Sequence, residues 1–156
     1  MIIRIICVGK PGKTFISDAA EEYVKRLSRY VTVNLEFVRN ADSGKKSNIN
    51  VVKRDEGKAL ARRCTPDSHV IALHERGKLY STAGLTKKIS FWRQGGKKEL
   101  LFLIGGAYGL GKNILAKADL ILSLSPLTFP HQMARLLLAE QLYRCYTILG
   151  GEQYHK

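Results

Sequence analysis

Residues 100–113 read LLFLIGGAYGLGKN, an apolar run that stops at two glycines and is followed by two more glycines and a lysine. The run Glu99–Ile104 is apolar at nearly every position, as is Asp119–Leu124, which marks strands covered on both faces and so the centre of a sheet. Outward from this stretch, strand and helix patterns alternate. Residues 2–8 (IIRIICV) form a strand, and residues 15–30 place Phe15, Ala19, Tyr23, Leu27 and Tyr30 at helical spacing. Residues 31–38 (VTVNLEFV) alternate strictly, the mark of a strand with one wetter face. The polar stretch RNADSGKKSN is a loop, a helix is expected over 49–64, a strand over 68–74, and a short helix over 82–94 that ends at Gly95-Gly96. A long helix spans 131–149, followed by the tail GEQYHK. The alternation predicts one α/β domain over residues 1–156, built on a largely parallel sheet. Three loops leave carboxyl ends of strands, HERGK (74–78), GGAYGLGK (105–112) and SPLTFPH (125–131), and ligands of open α/β sheets gather at such ends.

The 156 residues suffice for one core. No apolar run approaches the roughly 20 residues of a membrane span, and MIIRIICVGK lacks the cleavage site of a signal peptide. Cys7, Cys64 and Cys145 are odd in number, far apart and outside any CxxC, so neither disulfides nor a zinc site is expected and a reducing cytoplasm is the default. The charge is less ordinary. Lys and Arg number 26 against 13 acids, a net of +13, and residues 39–63 alone carry eight basic and three acidic side chains. Such a surface attracts polyanions, nucleic acid above all, unless it is only a solvated face.

The glycine loop is one residue short of a phosphate loop. In GxxxxGK[ST] the last hydroxyl binds magnesium, and Asn113 stands there. A nucleotide hydrolase also needs a later strand ending in Asp, whereas DLILSLS ends in Ser. The dinucleotide pattern GxGxxG fails as well, because Ile114 takes its third glycine position. A tight turn needs one or two glycines, so four in seven residues suggest close approach of backbone to a ligand. The loop LSPLTFPH offers Leu127, Phe129 and two prolines as a stiff apolar wall, suited to a flat ring with little negative charge, or else simply joins a strand to a helix. The helix 131–149 carries Met133, Leu136, Leu137, Leu138, Leu142, Tyr143, Tyr146, Ile148 and Leu149, more than one face, and so predicts a homodimer. Arg135 and Arg144 both have Glu140 as a candidate ion-pair partner, and His131 is as readily a cap as a site residue.

Together, LIGGAYGL, LSLSPLTFPHQMARLLLAEQLYR and the terminal YHK, with IICVGK and EEYVKRL near the start, resemble the ribosomal RNA large subunit methyltransferase H family, a branch of the SPOUT methyltransferases. The resemblance spans essentially the whole chain. It implies an α/β fold whose part from about 70 to 149 is threaded into a trefoil knot, with residues 150–156 as a substrate tail. It implies a cytoplasmic homodimer that uses S-adenosylmethionine (SAM), and no metal, to methylate N3 of a pseudouridine in the ribosome. The base is position 1915, in helix 69 of 23S rRNA. Carried over by residue, the cofactor site is Leu73, Gly105, Leu124, Ser125, Pro126, Leu127, Thr128 and Phe129, with Gly106 adjoining. On the substrate side stand Tyr154 to stack on a base, Lys156 to meet a phosphate and His155 as base or contact, with Arg144, Lys45 and Lys46 toward the RNA. The competing readings are a P-loop-like nucleotide hydrolase and a non-catalytic basic RNA-binding protein.

Overall fold

A computed structural model of the chain describes residues 1–41 and 48–154. The elements run β1 (Ile2–Val8), α1 (Phe15–Leu27), β2 (Thr32–Val38), α2 (Ile49–Ala61), β3 (Ser68–Leu79), α3 (Thr82–Gln94), β4 (Glu99–Ile104), α4 (Lys112–Leu115), β5 (Leu120–Ser123) and α5 (His131–Leu149). Helix starts follow from short polar side chains that satisfy orphan amides. Thr14 accepts from the amide of Ser17, Asn48 from that of Asn50, and Ser81 from that of Gly84.

The five strands pair in the order β2-β1-β4-β3-β5, every pair parallel. Alternation along the strands divides the core in two. Ile3, Ile5, Cys7, Leu100, Phe102 and Ile104 face α1, α3 and α5, where Leu27, Ile89, Trp92, Leu138 and Leu142 meet them. Ile6, Val8, Leu101 and Leu103 face the other way, onto Leu60 of α2 and Ile114 of α4. Helix α5 packs against both α1 and α3.

Two expectations are corrected. The run 119–124 is not central: β5 pairs with β3 alone and forms an edge, with Leu120 and Ile121 half-buried. A four-residue apolar strand cannot announce whether it has one neighbour or two. HERGK is not a free loop either. β3 continues to Leu79, and the register against β5 jumps so that both Leu73 and Lys78 stand opposite Leu122. The intervening residues bulge out of the ladder, and Gly77 permits the strand to return, because a Cβ there would lie 2.6 Å from the Leu122 carbonyl carbon.

Charge also ties the sheet. Arg4 on β1 donates from Nε to Glu36 of β2 at 2.7 Å and from Nη1 to Glu99 of β4 at 3.2 Å. Its guanidinium holds the Glu36 carboxyl below its ordinary value, chiefly through the hydrogen bond. That contribution is complete above the unfolded carboxyl range and is lost as pH falls through the lowered folded value. Arg4→Met should cost about 2 kcal/mol at neutral pH, a figure discounted because both partners keep some solvent. In urea titrations the variant should show a smaller loss of stability between neutral and acid pH than the parent.

Candidate functional site

The carboxyl ends of β3 and β4, the residues after β5 and the first turn of α5 enclose a cavity of about 670 Å³. Of the residues expected to hold a cofactor, Leu73, Gly105, Gly106, Leu124, Ser125, Leu127, Thr128 and Phe129 line it, and Pro126 does not. The size falls within the range of small-molecule sites.

Three of the glycines of 105–111, Gly105, Gly106 and Gly109, line the cavity, and the loop also has a packing reason for its glycines. Gly106 to Gly109 is a tight turn, closed by the Gly109 amide donating to the Gly106 carbonyl at 3.0 Å, and Gly109 has φ +72°. A Cβ on Gly105 would lie 2.6 Å from the Gly109 carbonyl carbon, and one on Gly111 would lie 2.7 Å from the Lys53 carbonyl oxygen. The loop is thus folded onto itself and onto α2, and Gly105 and Gly111 leave no room for a side chain against that backbone. This fold presents Tyr108 and Leu110 to the cavity, and brings Lys53 of α2 to it as well. Lys53 escaped the sequence reading, because nothing in the spacing of α2 announces a contact with a loop more than fifty residues later.

A phosphate loop is disfavoured by the same geometry. α4 is four residues long, and Asn113 donates through Nδ2 to the Arg54 carbonyl at 3.1 Å, which ties α4 to α2. Across the cavity, Ser125 Oγ accepts from the Leu127 amide at 2.9 Å, and Ser123 Oγ donates to the Ser125 carbonyl at 2.9 Å. These bonds fix a wall that leaves Leu127 71% exposed beside Phe129.

Charged and titratable groups around the cavity are few: Lys53, His74, Glu75, Tyr108 and His131. Burial, and secondly the Arg135 cation, push His131 below its ordinary value, so its imidazole is neutral near pH 7 and can accept a proton. Among the described residues no three His, Cys, Asp or Glu side chains cluster as metal ligands would. His69 lies at the amino end of β3, away from the cavity, stacked on Trp92 with ring centroids 4.7 Å apart.

The two α5 arginines part company. Arg144 pairs with Glu140 as expected, its Nε donating at 2.9 Å. Arg135 does not, because Glu140 lies five residues on and turns to another face of the helix. It is buried, and its Nη2 donates to Ser17 Oγ at 2.7 Å. Tyr154 is docked against the body of the protein. Tyr154 meets the Tyr143 ring edge-on at 4.8 Å, its hydroxyl lies 3.4 Å from that of Tyr23, and the Arg144 guanidinium sits 5.0 Å from its ring centre. His155, Lys156, Lys45 and Lys46 lie outside the described residues.

The family model described as "Predicted SPOUT methyltransferase" matches residues 1–155. The chain is 43% identical over 153 residues to the ribosomal RNA large subunit methyltransferase H of Desulfotalea psychrophila, covering 98% of each. It is 41% identical to the protein of that name from Halothermothrix orenii, over the full length of both. Among solved structures, a probable methylase family protein from Haemophilus influenzae superposes with a TM-score of 0.55 at 15% identity, covering 99% of this chain and 70% of that one, a likeness of fold. By its sequence from end to end, the chain belongs to the SPOUT methyltransferase family, among the ribosomal RNA large subunit methyltransferases H.

Proposed function

We propose that the protein methylates N3 of a pseudouridine in helix 69 of 23S rRNA, using SAM, as a cytoplasmic homodimer. The observation that carries the cofactor is the cavity: apolar walls from Leu73, Leu124, Leu127 and Phe129, room for a nucleoside with an amino acid arm, and no cradle for phosphates. When bound, SAM supplies an electrophilic methyl group on a sulfonium. The chain's own residues have three tasks. The 105–111 and 124–130 loops hold the adenosine and exclude water, the fixed wall aligns the methyl with the incoming nitrogen, and a base removes the N3 proton, since a neutral imide nitrogen is a poor nucleophile. His155 is our candidate for that base, and the neutral His131 is a second acceptor at the cavity itself.

A trefoil knot over about 70–149 is supported by the strand order. β5 follows β4 in sequence but pairs on the far side of β3, so the chain crosses β3 before α5 returns to α1 and α3. A homodimer is supported by α5, where Met133, Leu136 and Leu137 are only half-buried. It is supported again by the tail. Tyr154 docks beside Glu140, six residues beyond Ala134 of the cavity wall and so about 9 Å along the helix axis from the cavity. A second copy is what brings a tail to that cavity.

Calorimetry tests the reading of the cavity. SAM should bind with one site per chain, and ATP with magnesium should not. The reverse pattern would favour a nucleotide hydrolase, and binding of neither would favour a non-catalytic RNA-binding protein.

A further inference from the structure

We propose that the loop between β1 and α1, Lys10–Phe15, docks the RNA substrate beside the cavity, with Phe15 stacked on an unpaired base and Lys10, Lys13 and the start of α1 on the flanking phosphates. The proposal rests on the reading that the substrate is RNA, and it names where that RNA is held.

Phe15 is 83% exposed, more than any other large apolar side chain among the described residues. An aromatic ring left in water at the first position of a helix has no part in the core. Lys10 and Lys13 precede it in the same loop, both exposed. Aromatic and basic side chains in one short loop are what single-stranded nucleic acid requires, a face for a base and cations for its backbone.

The ground beneath the loop carries a buried cation, Arg135, whose guanidinium lies 5.2 Å from the Phe37 ring centre. Arg135 is 3% exposed and reaches the first turn of α1, where its Nη2 donates to Ser17 Oγ at 2.7 Å. Its Nε has no partner, and no carboxylate pairs with it among the described residues. A guanidinium stays charged when buried, and here it lies at the positive end of a 13-residue helix. The first intrahelical bond runs from Asp18 to the Thr14 carbonyl, and Thr14 Oγ1 takes the Ser17 amide, which leaves the amides of Phe15 and Ile16 for an outside acceptor. The nearest acid in sequence, Asp18, is exposed and does not reach Arg135. The helix start and the guanidinium beneath it favour an anion on the Phe15 side, with Asp18 of the first turn the one opposing charge among the described residues there.

The loop is also in the right place. It leaves the carboxyl end of β1, next to β4, so it opens on the same end of the sheet as the cavity. A Cβ on Gly12 would lie 3.2 Å from Gln132 Nε2, in the turn of α5 that gives His131 to the cavity wall. A nucleotide held on Phe15 places its neighbour at the cavity mouth.

The test uses the full chain and a fluorescent RNA hairpin with an unpaired pyrimidine loop, read by anisotropy across a salt series. Phe15→Ala should bind tenfold or more weakly, and Phe15→Trp should bind as the parent does. Lys10→Ala with Lys13→Ala should flatten the slope of log affinity against log salt by about 1.4, the share of two phosphate contacts on a single strand. SAM affinity and sedimentation should not change in any of them. Parental RNA affinity in Phe15→Ala, with an unchanged slope in the lysine pair, would overturn the docking point while leaving the proposed function standing. A lower sedimentation coefficient for Phe15→Ala would overturn it too, by placing the ring under a second copy. A parent protein that binds SAM and not the hairpin would remove the RNA reading itself.

Discussion

Gly105→Val should lower SAM affinity by at least a hundredfold in calorimetry. The reason lies inside the protein. A Cβ at this position falls 2.6 Å from the Gly109 carbonyl carbon and 2.8 Å from the Leu110 amide nitrogen, and neither is a flexible side chain that can step aside. The turn carrying Tyr108 and Leu110 must therefore leave its seat, and one wall of the cavity goes with it. Gly109→Ala is the matched control. Its φ of +72° costs an alanine about 1 kcal/mol, but its Cβ meets nothing within 4 Å, so the loop stays and affinity should fall only severalfold. A folded Gly105→Val protein with parental SAM affinity would show that this loop is no part of the cofactor site.

Truncation after Gln153 should abolish methylation of ribosomes, by a hundredfold or more, with SAM affinity within about twofold of the parent and dimerisation intact by sedimentation. Among the described residues the cavity wall does not include Tyr154, so cofactor binding is expected to survive. What is lost is an anchored arm: Tyr154 is held by Tyr143, Tyr23, Glu140 and Arg144. The hydrogen bond to Tyr23, and then burial, raise the Tyr154 phenol to about 12, so it remains protonated through the working range and contributes no step to a pH profile. His155→Ala then separates two roles. Loss of a base lowers turnover with ribosome binding kept, and alkaline pH partly restores the rate as the imide ionises unaided. Loss of a contact weakens binding, with no recovery at high pH. Loss of SAM binding on truncation, or normal methylation without the tail, would contradict the assignment.

Much of this architecture is legible in the chain, and the failures have physical causes. α5 can be read to the residue, because Pro130 and Gly150 punctuate it and apolar positions fill it. β4 is legible as a doubly covered strand. β5 has the same apolar character, yet lies at an edge, since composition registers burial and not the number of neighbours. Glycine pattern alone did not show what approaches the backbone: at Gly77, Gly105 and Gly111 it is the protein's own main chain. Most of the residues that the family resemblance implies for the cofactor line one cavity. Lys53 was not legible in the sequence, because it reaches the cavity through a tertiary contact with the glycine loop that no local pattern encodes. The buried Arg135, expected to pair with Glu140, shows the limit of counting along a helix when the partner stands on another element, here Ser17 of α1.

The most direct measurement is to incubate purified protein with SAM carrying a labelled methyl group and ribosomes that lack the modification, digest the RNA to nucleosides and identify the labelled one by mass spectrometry. One labelled species is expected, an N3-methylated pseudouridine from helix 69 of the large-subunit RNA. Label on a ribose, on a base carbon or on a different nucleoside, or no transfer by a protein that binds SAM, would contradict it.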